Sequence, residues 1–192
     1  MSKIVIAFIG PAGSGKSEAA KYIARAFGFE RTRFADPLKN MLKFGLGLTH
    51  EQVDGDQKEV PTDKLCGRTP RHAMMTLGTE WGRDQIHPDL WVEAWYNTLP
   101  NVSRVCVDDM RFPNEHRFVK KRMNGTIVRI QRDGHDYNPC HPSEAHQLEA
   151  DYIVYNSFDL RVFINRVESL AQHILFPQAE ELSVVGVEKV EK

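Results

Sequence analysis

The residues best suited to chemistry lie near the start of the chain, in the stretch FIGPAGSGKS at positions 8–17. Gly10, Gly15, Lys16 and Ser17 match the spacing G-x4-G-K-S between an apolar run and a helical pattern. Glycines let backbone N–H groups curl around an anion, and the helix N-terminus adds partial positive charge. A glycine-rich turn that binds nothing is the alternative, but the strand and helix context favours a loop that binds nucleotide phosphates. Lys16 would reach the β and γ phosphates, and the Ser17 hydroxyl would bind Mg²⁺.

Such a loop also needs a carboxylate at the end of a neighbouring strand, to hold the metal ion or its water. Asp108 and Asp109 follow the apolar stretch RVCV at 104–107. We take Asp109 as the metal ligand and leave the choice between the two open, since Asp108 could instead cap the turn into a helix that starts at Pro113. The guanine-reading motif NKxD is absent from the sequence, which argues against a GTPase.

The elements that must position these groups alternate between strands and helices. Apolar runs predict strands at residues 3–9, 31–35, 104–107, 126–130 and 152–154. Apolar residues at helical spacing predict helices at 16–27, 38–44, 70–85, 90–99, 113–123 and 159–175. This alternation predicts an α/β fold, a doubly wound and about five-stranded parallel sheet with right-handed crossovers. The acidic, weakly patterned segment 177–192 is expected to be a mobile tail.

The composition is that of an ordinary soluble globular protein, with 41% hydrophobic and 27% charged residues in a chain of 192. A formal net charge of -1 argues against a protein that wraps nucleic acid. No apolar stretch approaches the roughly 18 residues that span a bilayer, and no signal-peptide pattern precedes the first strand. We therefore expect a cytoplasmic protein without a nucleic acid or membrane partner. The three cysteines are widely spaced and odd in number, which suggests neither a disulfide framework nor a paired metal site.

Further stretches follow the loop in a fixed order: FADPLK at 34–39, TPRHAMMTLGTEWGRDQ at 69–85, VDDMRFPNE at 107–115, HPSEAHQ at 141–147 and DYIVYN at 151–156. With the loop, they resemble the bacteriophage-type deoxynucleoside monophosphate kinases over nearly the whole chain up to the last helix. The resemblance implies transfer of the γ phosphate of ATP to a deoxynucleoside monophosphate, which would supply precursors for phage DNA synthesis. It also implies one P-loop kinase domain over residues 1–176, with a helical monophosphate-binding part at about 37–100 and a lid at about 132–144.

Phosphoryl transfer between two polyanions needs them held in line and their charge neutralised, and arginine grips phosphate oxygens in a fork. We expect about half of six candidate arginines to touch ligand: Arg68, Arg71, Arg83, Arg111, Arg129 and Arg132. The resemblance implies ATP contacts at Gly10, Ala12, Gly13, Ser14, Gly15, Lys16, Ser17 and Arg129. It implies monophosphate contacts at Asp36, Arg68, Arg71, Trp81, Gly82, Arg83, Arg111, Ser143 and Glu144. The catalytic residues would be Lys16, Arg132 and Asp36, and the Mg²⁺ ligands Ser17 and Asp109.

The long helix predicted at 70–85 carries Met74, Leu77 and Trp81 on one stripe, which is expected to face the core. Gly78 and Gly82 fall on a neighbouring face, where missing side chains would let a substrate approach the backbone. Trp81 is therefore either a substrate contact or a plain core aromatic.

For Arg111, the alternative to a phosphate contact is a salt bridge to Asp108 or Glu115.

The polar segment 132–144 matches the position of a lid that closes over ATP, excludes water and brings Arg132 onto the γ phosphate, with Arg129 second. Within it, His135, Cys140 and His141 lack a clear fourth ligand and the spacing of a zinc site. Ser143 and Glu144 either contact substrate or cap a helix.

Two other functions stay open. In a kinase resembling dephospho-coenzyme A kinases, Asp36 would act as general base toward a hydroxyl acceptor. The chain could also be a nucleotide-binding regulator without catalysis, although Lys16, Ser17, Asp109 and Arg132 are all present. Apolar residues in FGLGL at 44–48 and WVEAWY at 91–96 permit a homodimer without requiring one.

Overall fold

The computed structural model describes residues 3–134, 148–177 and 184–190. The chain forms two compact units. The first, which we call the sheet unit, comprises Met1–Arg33 and Pro100–Lys192. The second, the helical unit, is the continuous stretch Phe34–Leu99. None of the described helices combines the length and apolar character needed to cross a bilayer.

The sheet unit is built on six strands in the order β2-β3-β1-β4-β5-β6. They are β1 Ile4–Ile9, β2 Glu30–Thr32, β3 Arg104–Val107, β4 Thr126–Gln131, β5 Tyr152–Tyr155 and β6 Val187–Lys189. The first five are parallel, and β6 runs antiparallel to β5. Ala7 of β1 lies between Val107 of β3 and Ile127 of β4. The loop that follows β1 therefore leaves the carboxyl edge at the middle of the sheet, where α/β proteins bind ligands.

Helices cover both faces of this sheet. They are α1 Lys16–Phe27, α6 Pro113–Met123 and α7 Leu160–Leu175. Ile6 and Phe8 of β1 share one core with Ile23 of α1 and Phe163 of α7. Val5 points to the other face, where α6 packs on β1 and β4. This confirms the predicted doubly wound α/β class.

Two predictions about the strands need correction. β2 spans Glu30–Thr32, so it is shorter than the predicted 31–35. Residues of the segment predicted to be a mobile tail form β6, with Val187 opposite Val154 and 8% exposed. The alternation that fits an antiparallel edge strand spans only three residues there, too few to stand out in the sequence.

The helical unit contains a small core of its own. Its helices are α2 Asp36–Leu46, α3 His50–Val53, α4 Pro70–Met75, a π-helix at Thr76–Ile86 and α5 Leu90–Asn97, with single 3₁₀ turns at Asp56–Glu59 and Asp63–Leu65. Leu42, Leu48 and Val53 are its buried centre, and Met74 and Leu77 pack against them. The Thr69 hydroxyl caps α4 by accepting a hydrogen bond from the His72 N–H at 3.1 Å.

The single α-helix predicted at 70–85 is instead α4 followed by the π-helix. A π-helix closes its hydrogen bonds at i to i+5, so positions seven residues apart no longer lie on one stripe. Met74 and Leu77 reach the core as expected, whereas the Trp81 side chain is 38% exposed. The prediction of Trp81 as part of the core stripe is therefore wrong.

Candidate nucleotide-binding site

The loop between β1 and α1 has a backbone that only glycine fits easily. Gly10, Gly13 and Gly15 have φ angles of 142°, 75° and 110°. A Cβ on Gly10 would collide with the carbonyl oxygen of Ile130, and one on Gly15 would lie 2.6 Å from Asn156 Nδ2. The glycines thus allow both a left-handed backbone and close contact with Ile130 of β4 and with Asn156, which follows β5, as a tight phosphate-binding loop requires.

Lys16 begins α1 and is only 9% exposed. Its Nζ donates hydrogen bonds to the carbonyl oxygens of Gly10, at 2.7 Å, and Pro11, at 2.6 Å. The ammonium group is therefore held across the loop, next to the positive end of the α1 dipole. Ser17 follows on the first turn of α1 with an exposed side chain. A cation, a helix N-terminus and an exposed hydroxyl at one place suit a phosphate with its metal ion.

Asn156 supports the loop from behind, in a role that the sequence did not reveal. Its Nδ2 donates to the Ser14 carbonyl at 2.7 Å, and its N–H donates to the Gln131 carbonyl at 2.7 Å. Ser14 itself is fully buried, and its Oγ has no hydrogen-bond partner within the described ranges. Asn156 ends the stretch DYIVYN, whose pattern indicated only a strand.

A cavity of about 360 Å³ lies beside the loop, a volume in the range of small-molecule sites. It is lined by Gly13, Gly15, Lys16, Ser17, Glu18, Arg132, Asn156, Phe158, Leu160 and Phe163. Arg132 lies beside the loop, where its Nη1 donates to the Gly13 carbonyl at 3.2 Å. Its contact with the γ phosphate stays a prediction.

The sequence did not indicate Phe158 as a site residue. Its side chain is 87% exposed, and its φ of 69° is rare for a bulky residue. An exposed aromatic ring at the wall of the cavity suits a flat ligand group.

Of the two candidate carboxylates after β3, Asp108 is the buried one, at 4% exposure. Its Oδ2 accepts two hydrogen bonds from Arg31, at 2.6 Å from Nη2 and 3.2 Å from Nε. Its Oδ1 is buried and has no hydrogen-bond partner in the part of the chain that the structure describes. Alternation along β3 puts Asp108 on the same face as Cys106, whose Sγ donates to the Ala20 carbonyl of α1. Asp108 thus faces the α1 side of the sheet.

This pattern fits a magnesium ion that receives most of its ligands from phosphate and water. Within residues 3–134, 148–177 and 184–190, no three His, Cys, Asp or Glu side chains gather to hold a metal ion by themselves. A buried carboxylate oxygen still open to a partner is what such an ion, or its bound water, needs. Asp109, the ligand chosen from sequence, is half-buried.

Two further candidate arginines, Arg129 and Arg111, lie in the sheet unit. Arg129 lies in β4, and its Nη2 donates to the Leu148 carbonyl at 2.5 Å. Beside Arg111, the Glu115 carboxylate accepts from the backbone N–H groups of Arg111, at 2.7 Å, and Phe112, at 3.0 Å. Glu115 therefore caps the start of α6, and the ion pair of Asp108 goes to Arg31.

The predicted monophosphate contacts Asp36, Arg68, Arg71, Trp81, Gly82 and Arg83 all belong to the helical unit. Arg71 is exposed and pairs with Glu59 at 2.7 Å. Arg83 Nη1 donates to the Pro88 carbonyl at 3.3 Å. Arg68 is exposed, and Asp36 is the half-buried first residue of α2.

The glycine face of the π-helix is occupied by Trp91. Its Nε1 donates to the Gly78 carbonyl at 2.7 Å. A Cβ on Gly82 would lie 2.5 Å from the same nitrogen. The expectation that both glycines leave the backbone open to substrate therefore needs correction at Gly82, where the indole takes the space. Trp81 packs beside it, with ring centroids 6.2 Å apart.

The remaining predicted residues lie outside the described part of the chain. These are Ser143 and Glu144, together with His135, Cys140 and His141. Of the predicted lid at 132–144, the structure describes residues 132–134.

The chain is similar to known proteins in sequence and in structure. No family model matches the chain. A protein of Acanthamoeba polyphaga mimivirus, named "Putative deoxynucleotide monophosphate kinase", is 32% identical over 185 residues, which cover 86% of this chain and 95% of that relative. Among solved structures, TT1252 from Thermus thermophilus superposes with a TM-score of 0.52 at 15% identity, over 94% of this chain and 100% of that one. A dephospho-CoA kinase from Campylobacter jejuni gives a TM-score of 0.46 at 13% identity, over 90% of this chain and 97% of its own.

Proposed function

This chain belongs to the deoxynucleotide monophosphate kinase family, and from that premise we propose that it transfers the γ phosphate of ATP to a deoxynucleoside monophosphate. Membership of this family makes the chain a phosphotransferase that acts on a small molecule. The same proposal includes a cytoplasmic location and a role in supplying precursors for phage DNA synthesis.

The observation that carries the proposal is the loop at residues 10–17. Its glycine backbone, the Lys16 ammonium across it and the Arg132 guanidinium at Gly13 bring two positive charges to one anion site. These groups would hold the β and γ phosphates of ATP, and Arg132 would neutralise charge that develops on the moving phosphoryl group. Phe158 and Leu160 line the same cavity and would pack against the flat face of the adenine base.

We assign the magnesium site to Ser17 and Asp108, in preference to Asp109. The Asp108 Oδ1 atom is buried and open to a partner, and Arg31 fixes the other carboxylate oxygen. A magnesium ion held there would supply positive charge that offsets the charge of the phosphates. Asp108 would hold the ion or its water, and Ser17 would contribute its hydroxyl.

The acceptor would be held by the helical unit, through Arg68, Arg71, Trp81 and Arg83, with Asp36 at its sugar or base. Arg71 pairs with an exposed glutamate, Glu59, which a phosphate can replace at small cost. A phosphate oxygen of the acceptor attacks the γ phosphorus, and the bond from that phosphorus to the β–γ bridging oxygen breaks, leaving ADP. The attacking oxygen is already anionic, so the residues must position and neutralise charge rather than remove a proton.

The test is coupled ADP release with ATP and Mg²⁺ against dAMP, dGMP, dCMP, dTMP, their ribose counterparts and dephospho-coenzyme A. Turnover with one or more deoxynucleotides is the expected result. Turnover with dephospho-coenzyme A alone would overturn the proposal and make Asp36 a general base. Binding of ATP with silence across the panel would indicate a regulator without catalysis.

A further inference from the structure

The C-terminal segment is tied to the sheet by more than one contact. β6 pairs with β5 over Val187–Lys189. Just before it, the Gly186 carbonyl accepts from the Tyr155 N–H at 3.0 Å, and after it the Val190 N–H donates to the Asp151 carbonyl at 2.9 Å. The segment 184–190 therefore lies along the whole length of β5.

Arg166 of α7 joins this segment to the loop that follows β5. The side chain is 6% exposed. Its Nε donates to the Val185 carbonyl at 3.0 Å, and its Nη1 donates to the Tyr155 carbonyl at 2.6 Å and the Ser157 hydroxyl at 3.1 Å. A buried guanidinium is stable only while its N–H groups have acceptors, so the Val185 carbonyl helps to fix Arg166 where it is.

Gly186 lets the segment approach the guanidinium closely. Its φ is 87°, and a Cβ there would collide with Cζ and Nε of Arg166. The Val185 carbonyl accepts a hydrogen bond from Arg166, and the absence of a Cβ at Gly186 leaves room for the guanidinium.

The residue between the two anchors of Arg166 is Asn156, which supports the phosphate-binding loop. Arg166 holds the residues on either side, Tyr155 and Ser157. Asn156 Nδ2 in turn donates to the Ser14 carbonyl and packs against Gly15. The contacts thus run without interruption from Val185 and Gly186, directly before β6, through Arg166 to the loop that would bind ATP.

We propose that β6 and Arg166 are positioning elements for the phosphate-binding loop, acting through Asn156, so that the C-terminal strand sets the affinity for ATP. This inference rests on the proposed function, because ATP is the ligand of that loop. β6 and Arg166 are positioning residues, since neither lines the cavity.

The first test is Gly186→Ala, which moves the Arg166 guanidinium without removing any of its acceptors. We expect the dissociation constant for ATP-Mg²⁺, measured by calorimetry below the unfolding transition, to rise about three- to tenfold, the effect of one or two disturbed hydrogen bonds. Affinity for the best deoxynucleoside monophosphate should stay unchanged. The matched control is Gly47→Ala, where φ is 65° but nothing lies within 4 Å of the added Cβ; it should leave both affinities unchanged.

A double-mutant cycle with Asn156→Ala separates positioning from general destabilisation. If β6 acts through Asn156, Gly186→Ala should have no further effect on ATP affinity in the Asn156→Ala background. An equal effect in both backgrounds would overturn the proposal. Should Gly186→Ala fail to fold, Val187→Ala loosens β6 without adding atoms, and the same outcomes apply.

Measuring ATP binding by the wild-type chain as well as by the variants distinguishes a failure of the proposed function from a failure of this inference. A wild-type chain that does not bind ATP would overturn the proposed function and this inference with it. ATP binding that neither the Gly186 nor the Val187 substitution weakens would overturn this inference alone.

Discussion

The Lys16 side chain is largely buried, and its ammonium group donates hydrogen bonds to two backbone carbonyl oxygens. Lys16→Ala removes this charge from the proposed phosphate site, so we expect turnover to fall by at least about 100-fold, as for other preorganised groups that stabilise transition-state charge. Coupled ADP release measures the loss, and circular dichroism checks that the fold is kept. The control is Lys21→Ala, an exposed residue of the same helix paired with Glu18, which should be silent. Near-normal turnover in Lys16→Ala would remove the loop from the mechanism.

Asp108 and Asp109 are neighbours in sequence and differ in environment. Asp108→Asn keeps the shape and an acceptor for Arg31 but removes the charge offered to Mg²⁺. We expect the Mg²⁺ concentration for half-maximal turnover to rise about tenfold. Asp109→Asn should shift that concentration less. A larger shift in the Asp109 variant would restore the ligand that the sequence favoured, and thermal unfolding of both variants checks that neither effect comes from loss of the fold.

At the scale of elements, the π-helix at Thr76–Ile86 depends on its glycines to seat Trp91. Gly82→Ala would place a methyl group 2.5 Å from Trp91 Nε1 and disturb the indole bond to Gly78. We expect a loss of about 2–4 kcal/mol in the free energy of unfolding, from overpacking and the disturbed hydrogen bond. Urea denaturation measures it.

A control of opposite sign is available in the same unit. Gly45 is exposed within α2, and nothing lies within 4 Å of a Cβ placed there. Gly45→Ala should therefore stabilise the protein by up to about 1 kcal/mol through helix propensity. A neutral Gly82→Ala beside a stabilising Gly45→Ala would show that Trp91 does not depend on the bare backbone.

The spacing of apolar residues predicted the overall fold, because burial determines which positions of a strand or helix are apolar. The apolar run RVCV became β3 at the predicted residues, and the apolar spacing in 159–175 became α7. The π-helix was missed because its residue types are those of an α-helix; only the hydrogen-bond register differs. β6 was missed because its partner strand lies 32 or more residues away along the chain, and local patterning does not encode such pairing.

The residues of the candidate site also fall into two groups, those that the sequence indicates and those that it does not. Gly10, Gly15, Lys16 and Ser17 were evident because their spacing is itself the signal. Asn156, Phe158 and the pairing of Arg31 with Asp108 were not, because each depends on which strands become neighbours. Contacts between distant segments are a property of the assembled sheet, and single-sequence patterns describe only nearby residues.

We expect Cys106 to make the free energy of unfolding depend on pH in the alkaline range. It is fully buried in β3, and burial, with a smaller effect from the Asp108 charge, raises the pKa of its thiol from 9.0 to about 12. Below pH 9 the thiol is protonated whether the chain is folded or unfolded, so its contribution to stability is constant. Above pH 9 only the unfolded chain releases the proton, so the free energy of unfolding should fall by about 1.4 kcal/mol per pH unit until the folded thiol also ionises.

Urea denaturation between pH 8 and 11 on the wild type and Cys106→Ala isolates this effect. Burial also raises the pKa values of Tyr22, Tyr152 and Tyr155, but these tyrosines are present in both chains and cancel in the difference. We expect the two stabilities to differ by a constant at low pH, the cost of the small cavity, and to converge above pH 9, where only the wild type has the additional loss that comes from this thiol. Parallel curves would mean that the thiol ionises as readily in β3 as in the unfolded chain, which would require water to reach the centre of the sheet.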